Sequence, residues 1–514
     1  MRPNVDARAP AMRTVVALLL GIVLALSLPP LGWWPLAFLA VGGLALLCRG
    51  ASLGGGALTG AAFGFGFVLA CMWWLQVVLP GAQFLVAVAE MPFFAMLGLG
   101  LAATSGLPAW PLWGACCWVA TEWVRGNLPF GGLPWGRLGT AVVDLPIAAW
   151  ARYGGEAGLT LVVALVSALL AGALVLSRRA RLASIGGAAA LVAASFLLPV
   201  GVQTTSGPTG ERDVTVAVVQ GDVPGSGLNA FFRPRVTLRN HLEVTRRLAA
   251  DVRAGRVARP DVVIWPENAS DVDPLLDTAA RARIQQTVDD LGVPVVVGAV
   301  TLGANPDEVQ GSGIVWRPGA ASGGGPGERY AKRRLVPFGE WVPFRAALTP
   351  LVPLLEEEIP RDFVPGERAG VLHADGTVVG AVMCFEIAYD AAVRDVAAGA
   401  VDLLAVQTNN AAYMGTGQLA QQWAITRLRA IETGRAVAVA ATTGISGVVA
   451  PDGSVVERTQ SRAPQAIVAR VPAAEGMTPG VRWGGWVEVV GSGVAAAAVL
   501  VSSLKLPGRR RRRG

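Results

Sequence analysis

Three residues of complementary chemistry stand just beyond apolar runs. Glu267 follows Asp261-Val-Val-Ile-Trp265 and Pro266. Lys332 lies in Tyr330-Ala-Lys332-Arg-Arg-Leu335-Val-Pro337-Phe-Gly-Glu340. Cys384 ends the strand-like run from Thr377 to Met383 and precedes Phe385 and Glu386. A thiol, a carboxylate and an ammonium make a complete set for acyl transfer. A thiol at its free pKa is only slightly ionised near neutrality, so it needs a base or a nearby cation. Glu267 can take the proton, because a partly desolvated carboxylate has a raised pKa that suits it to accept and later return one. Lys332 can lower the thiol pKa and steady an oxyanion, with the backbone N–H of Phe385 as a second donor.

Each residue also has a plainer reading. Cys384 can be a small buried core residue, Glu267 a turn or helix-capping acid, and Lys332 part of a solvated basic strand with Arg333 and Arg334. Glu386 can orient the cysteine turn or serve as the N-terminal acid of the helix that follows. The chain has only two histidines, His241 and His373, and neither neighbours these motifs. That argues against a Ser-His-Asp or Cys-His machine. No cluster has metal-ligand spacing, so no metal and no cofactor is expected.

The elements that must position these groups read as an α/β domain. Val-rich strands are expected at 213–220, 261–265, 293–300, 377–383, 402–407, 436–442 and 446–450, with helices at 236–255, 272–291, 387–398 and 417–434. Apolar strands alternating with helices predict sheets covered on both faces. Gly319–Gly327 reads as a flexible lid or spacer, since it lacks the ending of a phosphate-binding loop.

Around that domain the composition changes. Hydrophobic residues make up 53% of the 514 and charged residues 15%, too apolar for an ordinary soluble protein. Eight spans are expected, near 12–30, 31–48, 56–80, 83–106, 109–125, 158–177, 183–200 and 485–504. If they alternate, Arg2, Arg8, Arg13, Arg49, Arg178, Arg179, Arg181, Lys505 and Arg509–Arg513 all fall on one side, the cytoplasmic one. Both termini are then cytoplasmic and the α/β domain faces outward. The domains are 1–201 (membrane, about seven spans), 212–475 (extracytoplasmic), 485–504 (a return span) and 505–514 (a basic tail). Segment 202–211 reads as a linker. The tail's position after a span points to a membrane surface rather than nucleic acid. Four of the five cysteines (Cys48, Cys71, Cys116 and Cys117) lie in the apolar segments, so the outer domain has no disulfide framework. Glu90, inside the fourth span, is a functional candidate or an interfacial acid.

The three motifs together resemble the Glu-Lys-Cys triad of the nitrilase superfamily. The Leu335–Glu340 form of the lysine motif, joined to this hydropathy pattern, resembles the apolipoprotein N-acyltransferase family. Arg125-Gly126, Gly132-Leu-Pro-Trp135, Val219-Gln220-Gly221-Asp222-Val-Pro224, Thr408-Asn409-Asn410-Ala411 and Arg427-x-Arg429-Ala-x-Glu432-x-Gly434-Arg435 resemble further motifs of that family. The resemblance implies a polytopic α-helical membrane protein carrying an α-β-β-α sandwich, in a bacterial cell membrane. It implies Glu267, Lys332 and Cys384 as catalytic, Glu340, Glu386 and Phe385 as supporting, and Trp135, Asn409, Asn410 and Tyr413 as substrate-contacting. A phospholipid would donate an acyl chain to Cys384, and the α-amine of an apolipoprotein's diacylglyceryl-cysteine would take it. Eight spans favour a monomer.

The chain departs from the family pattern at two places. Phe231 and Phe232 stand in residues 225–235 where many members carry a tryptophan, and Asn409-Asn-Ala-Ala-Tyr-Met-Gly415 replaces Asn-Asp-Ala-Trp-Phe-Gly. Both lie in loops expected to meet substrate. The nearest rival is a membrane-anchored amidase or nitrilase acting on a small C–N compound, which would need only one anchor. A transporter or receptor would need more polar groups inside the spans than Glu90, Glu122 and Arg125.

Overall fold

The computed structural model describes residues 8–199, 212–223, 235–305, 307–319 and 323–505. The expected linker at 202–211, Phe231 and Phe232, and the arginines at 509–513 lie outside these. The chain divides into two compact units, Met1–Pro199 with Trp483–Gly514, and Val200–Arg482.

The first unit is helical: α1 (Arg8–Leu26), α2 (Pro35–Cys48), α3 (Leu53–Cys71), α4 (Ala82–Thr104), α5 (Trp110–Arg125), α6 (Ala151–Val175), α7 (Arg178–Leu197) and most of the helix Pro479–Lys505. Among the described residues five stretches are long and apolar enough to cross a membrane: Leu53–Cys71, Ala82–Thr104, Pro146–Val175, Arg178–Leu197 and Pro479–Leu504. Pro10–Leu26 and Pro35–Cys48 are apolar but shorter, and α5 has 16 residues. Two expected boundaries move. The third stretch stops at Cys71 and a 3-10 turn, Trp73–Val77, follows it. The sixth starts at Ala151 and bends at Gly155, where φ is 66°.

Small residues set how closely these helices approach. Gly56, Gly60 and Gly64 recur every four residues and so share one face of α3. A Cβ on Gly60 would lie 2.0 Å from the carbonyl oxygen of Phe94 in α4, so the two backbones touch there.

Buried charges in this unit are paired. Arg125 Nε donates to Glu90 Oε2 at 2.7 Å, and its Nη1 donates to the carbonyl of Trp135 at 3.0 Å. Arg137 meets Glu122 at 3.1 Å and Glu156 at 3.4 Å, while Thr160 and the Leu138 N–H also donate to Glu122. Glu90 is therefore a buried acid paired with Arg125. The sequence reading missed Arg137 and Glu156 because it began the sixth span beyond Glu156. The segment after α5 is held to the helices on both sides of Trp135.

The second unit runs β1 (Asp213–Gln220), α8 (Val236–Arg253), β2 (Val262–Ile264), α9 (Thr278–Leu291), β3 (Val295–Leu302), β4 (Glu308–Arg317), β5 (Gly325–Ala331), α10 (Arg345–Leu348), α11 (Leu354–Glu358), β6 (Asp362–Phe363), β7 (Val371–Ala374), β8 (Thr377–Met383), α12 (Asp390–Ala397), β9 (Leu403–Thr408), α13 (Gln418–Thr433), β10 (Val437–Ala441), β11 (Gly447–Val449), β12 (Val455–Arg458) and β13 (Gln465–Pro472), and ends as α14 (Pro479–Lys505) begins. Two sheets form, ordered β13-β1-β2-β3-β4-β5 with β6 beside β4, and β12-β11-β10-β9-β8-β7. The period-two pattern of each strand assigns its faces. In β1, Val214, Val216 and Val218 join Met383, Ala405 and Ala438 in the core between the sheets. Ala217 and Val219 point the other way, into a second core with Leu242 of α8 and Ile284 of α9. On the far side of the second sheet, Val396 of α12 covers Gly380 of β8. The layers are helix, sheet, sheet, helix.

Three local expectations change. Of the expected lid or spacer at Gly319–Gly327, the end from Gly325 on belongs to β5, which pairs antiparallel with β4, and residues 320–322 lie outside the described residues. The helix expected from 272 starts at Thr278, where the Asp277 carboxylate accepts from the Ala280 N–H and caps it. The helix expected at 387–398 is a 3-10 turn, Cys384–Ala388, followed by α12.

Candidate active site

The parallel pairs β1–β2–β3 and β8–β9–β10 direct their C-terminal ends to one edge of the sandwich, the edge where α/β proteins place ligands. Glu267 lies just past β2, Lys332 just past β5, Cys384 just past β8 and Asn409 just past β9. The fold brings the first three together. Lys332 Nζ donates to Glu267 Oε1 at 3.0 Å and to Glu340 Oε1 at 2.5 Å. Glu267 Oε2 accepts the backbone N–H of Asn409 at 3.1 Å, and the Cys384 thiol and this carboxyl feel each other's charge. Lys332 is 1% exposed, so it is no part of a solvated basic strand.

The electrostatics divide the labour. Burial, opposed by Lys332 and reinforced by Glu340, holds the Glu267 carboxyl above the ordinary carboxylate range. Burial alone would lower Lys332, but Glu267 and Glu340 overturn that and keep its ammonium well above the usual lysine value. Lys332 thus stays charged and cannot be the base. The Cys384 thiol, although partly accessible, is pushed up to about 12, first by burial and then by the charge of Glu267. Lys332 does pull the thiol down, but burial and the Glu267 charge outweigh it. At rest the sulfur is held as the thiol rather than the thiolate. Sulfur attack and proton transfer to Glu267 must therefore be coupled.

Cys384 has φ of 49°, a left-handed conformation that costs a side-chain-bearing residue on the order of 1–3 kcal/mol. Glu386 helps impose it. This carboxylate is fully buried and accepts from the Met383 N–H at 2.8 Å, the Arg333 N–H at 2.8 Å, the Arg334 N–H at 2.9 Å and the Tyr330 hydroxyl at 2.7 Å. One acid thus closes the cysteine turn and fastens the segment after Lys332 to it. Glu386 lies in the first turn of the 3-10 segment Cys384–Ala388, and α12 begins beyond it with Asp390 as its own N-terminal acid. Glu386→Gln puts an NH₂ where only donors converge. It is expected to cost on the order of 3 kcal/mol, visible as a lowered unfolding temperature of the full chain in detergent. An unchanged melt would show that the carboxylate does not hold the turn.

The comparisons bear on what this edge belongs to. Residues 20–169 match the family model described as the apolipoprotein N-acyltransferase N-terminal domain, and residues 215–476 match that described as carbon-nitrogen hydrolase. An apolipoprotein N-acyltransferase of Mycolicibacterium smegmatis is 38% identical over 95% of this chain and 84% of its own length. One from Ralstonia nicotianae is 31% identical over 97% of this chain and 94% of its own. The chain belongs to the apolipoprotein N-acyltransferase family. A solved amidase of the nitrilase superfamily from Nesterenkonia aligns with a TM-score of 0.38 and 20% identity, over 52% of this chain and 92% of its own.

Within this acyltransferase the other expected site residues are placed unequally. Asn409 lends its backbone to Glu267, while its side-chain oxygen accepts from Thr442 at 2.8 Å. Asn410 is buried and its amide donates to Gln418 and Gln422 of α13. Tyr413 is half-buried, and its hydroxyl is raised by burial and then by the charge of Cys384. The Phe385 ring packs edge-on to Tyr389 at 5.6 Å. Trp135 belongs to the first unit, where it is buried with its ring against Trp74 at 5.7 Å. His241 is buried and bonded to the Thr237 carbonyl, and His373 pairs with Glu328 at the surface.

Sequence reasoning gave no role to Thr408, Gln422, Tyr330 or Arg429. Arg429, fully buried, donates to the carbonyls of Ile387 and Ala388 and so ties the cysteine turn to α13. Its sequence signal is its place in the Arg427-x-Arg429-Ala-x-Glu432 stretch.

Proposed function

We propose that the acyltransferase moves an acyl chain from a membrane phospholipid to the α-amine of an apolipoprotein's diacylglyceryl-cysteine, through a thioester on Cys384. The observation that carries this reading is one buried carboxyl, Glu267, bonded to the Lys332 ammonium and near enough to the Cys384 thiol to act on it by its charge. The sulfur attacks the ester carbonyl carbon as its proton passes to Glu267. Lys332 and the Phe385 N–H stabilise the oxyanion, and the proton returns from Glu267 to the departing lysophospholipid oxygen. The acceptor amine then attacks the thioester carbon and Glu267 takes its proton. The amide forms and the thiol is restored, which is a ping-pong cycle.

Charge is conserved in this step. As Glu267 is protonated its negative charge passes through the sulfur to the oxyanion, and Lys332 then faces that oxyanion and Glu340. Both substrates carry acyl chains whose transfer to water costs about 0.8 kcal/mol per CH₂, which suits a membrane-embedded frame. We place the eight helices α1–α7 and α14 as spans with both termini cytoplasmic and residues 212–475 on the outer face, because the basic segments then fall on one side.

The test supplies the full-length protein, in membranes, with acyl-labelled phospholipid and a diacylglyceryl-cysteine peptide. Label is expected to appear as an N-acyl amide on the peptide. Ammonia release from small amides, with no labelled peptide, would instead favour an anchored amidase.

A further inference from the structure

The end of β9 holds a hydroxyl whose hydrogen bonds leave it one choice. Thr408 is 2% exposed, and its Oγ1 lies 3.3 Å from Cys384 Sγ and closer still to Asn410 Oδ1. A hydroxyl has one proton to give, so it serves one of these acceptors at a time. Its lone pair is already engaged, because Gln422 Nε2 donates to Oγ1 at 3.1 Å. The surrounding amides are fixed in their orientation. Asn410 Nδ2 donates to Gln418 Oε1 at 3.0 Å and Gln422 Oε1 at 2.9 Å, which leaves Asn410 Oδ1 facing Thr408. Gln418 Nε2 also donates to Gln422 Oε1, at 3.0 Å, and Gln422 Nε2 donates to the Cys384 carbonyl, at 3.3 Å. In this network the Thr408 hydroxyl can turn from Asn410 Oδ1 to Cys384 Sγ without disturbing the hydrogen bonds among the amides.

We infer that Thr408 is a fourth catalytic residue, whose hydroxyl turns from Asn410 to the Cys384 sulfur as negative charge develops there and returns once the thioester forms. The inference rests on the acyl-transfer reading above. A neutral thiol is a weak acceptor and loses to the amide oxygen, whereas a thiolate is an anionic acceptor and wins. Thr408 forms and breaks no covalent bond. The charged and titratable groups facing the sulfur are Glu267, Lys332, Glu340 and the Tyr413 hydroxyl. The Lys332 ammonium favours the thiolate while the two carboxylates oppose it, and Lys332 donates to both of those carboxylates. Thr408 is thus a donor aimed at the sulfur that no carboxylate claims.

The test follows iodoacetamide alkylation of Cys384 in the full-length detergent-solubilised protein, mapped by peptide mass spectrometry from neutral to alkaline pH. Thr408→Val keeps the shape and loses the hydroxyl. It is expected to slow alkylation roughly tenfold near neutrality and to move the profile about one pH unit upward, the worth of one hydrogen bond to an ion. Thr408→Ser is expected to restore both. A Val variant with the wild-type profile, or a Ser variant as slow as Val, would overturn the inference. Should the Val variant not elute as folded protein, Thr408→Ala takes its place under the same criteria. Failure of the underlying reading is seen elsewhere, in a Cys384→Ala protein that still transfers acyl chains.

Discussion

Cys384→Ala is expected to abolish acyl transfer, by at least about 10⁴-fold, while the amount of membrane-inserted protein stays unchanged. No other thiol can substitute. Cys48, Cys71, Cys116 and Cys117 are all buried in the helical unit, and only Cys384 combines partial accessibility with the nearby charge of Glu267. The side chain removed is small and lies at the end of β8 rather than inside a packed strand, so little stability should go with it. Transfer measured with labelled phospholipid, alongside membrane-fraction yield, checks both halves. Substantial residual transfer would mean the nucleophile is misassigned.

Glu267→Gln is expected to cost on the order of 10³-fold, within the range for losing a positioned general base. The pH dependence identifies the cause. Burial and the Glu340 charge raise the Glu267 carboxyl above its ordinary value against the pull of Lys332. The base form is the carboxylate, so wild-type transfer should fall as pH drops through that raised pKa and recover above it. The glutamine variant should lack this acid limb and remain slow throughout. Lys332 stays protonated over the same window and contributes no limb of its own. A glutamine variant that kept the wild-type acid limb would assign it to another group.

Much of this site was legible because three motifs mark strand ends. The Val-rich runs placed β1, β8 and β9 within a residue or so, and Cys384 then stood out just past β8. What the sequence hid falls into two kinds. Some strands lack the period-two signal. β4 carries Gly311 and Gly313, residues that argue against a strand, yet a Cβ on Gly313 would lie 2.6 Å from Gln407 of the facing sheet. β12 is exposed along its whole length, so no burial pattern marks it. The other kind is long-range. Glu386 joins Tyr330, Arg333 and Arg334 across more than fifty residues, and Gln422 reaches back to Cys384 from α13. Local pattern carries no trace of such bonds. The helical unit was legible as apolar, but span limits were not, because Gly155 bends α6 and a 3-10 turn follows α3.

The central claim is that the Cys384 sulfur itself carries the acyl chain between donor and acceptor. Wild-type protein incubated with acyl-labelled phospholipid and no acceptor, then quenched in acid and mapped, should hold label on the peptide containing Cys384. Hydroxylamine should release it, and adding a diacylglyceryl-cysteine peptide should discharge it into N-acyl product. Label absent from that peptide while transfer proceeds, or label that the acceptor cannot discharge, would contradict the account.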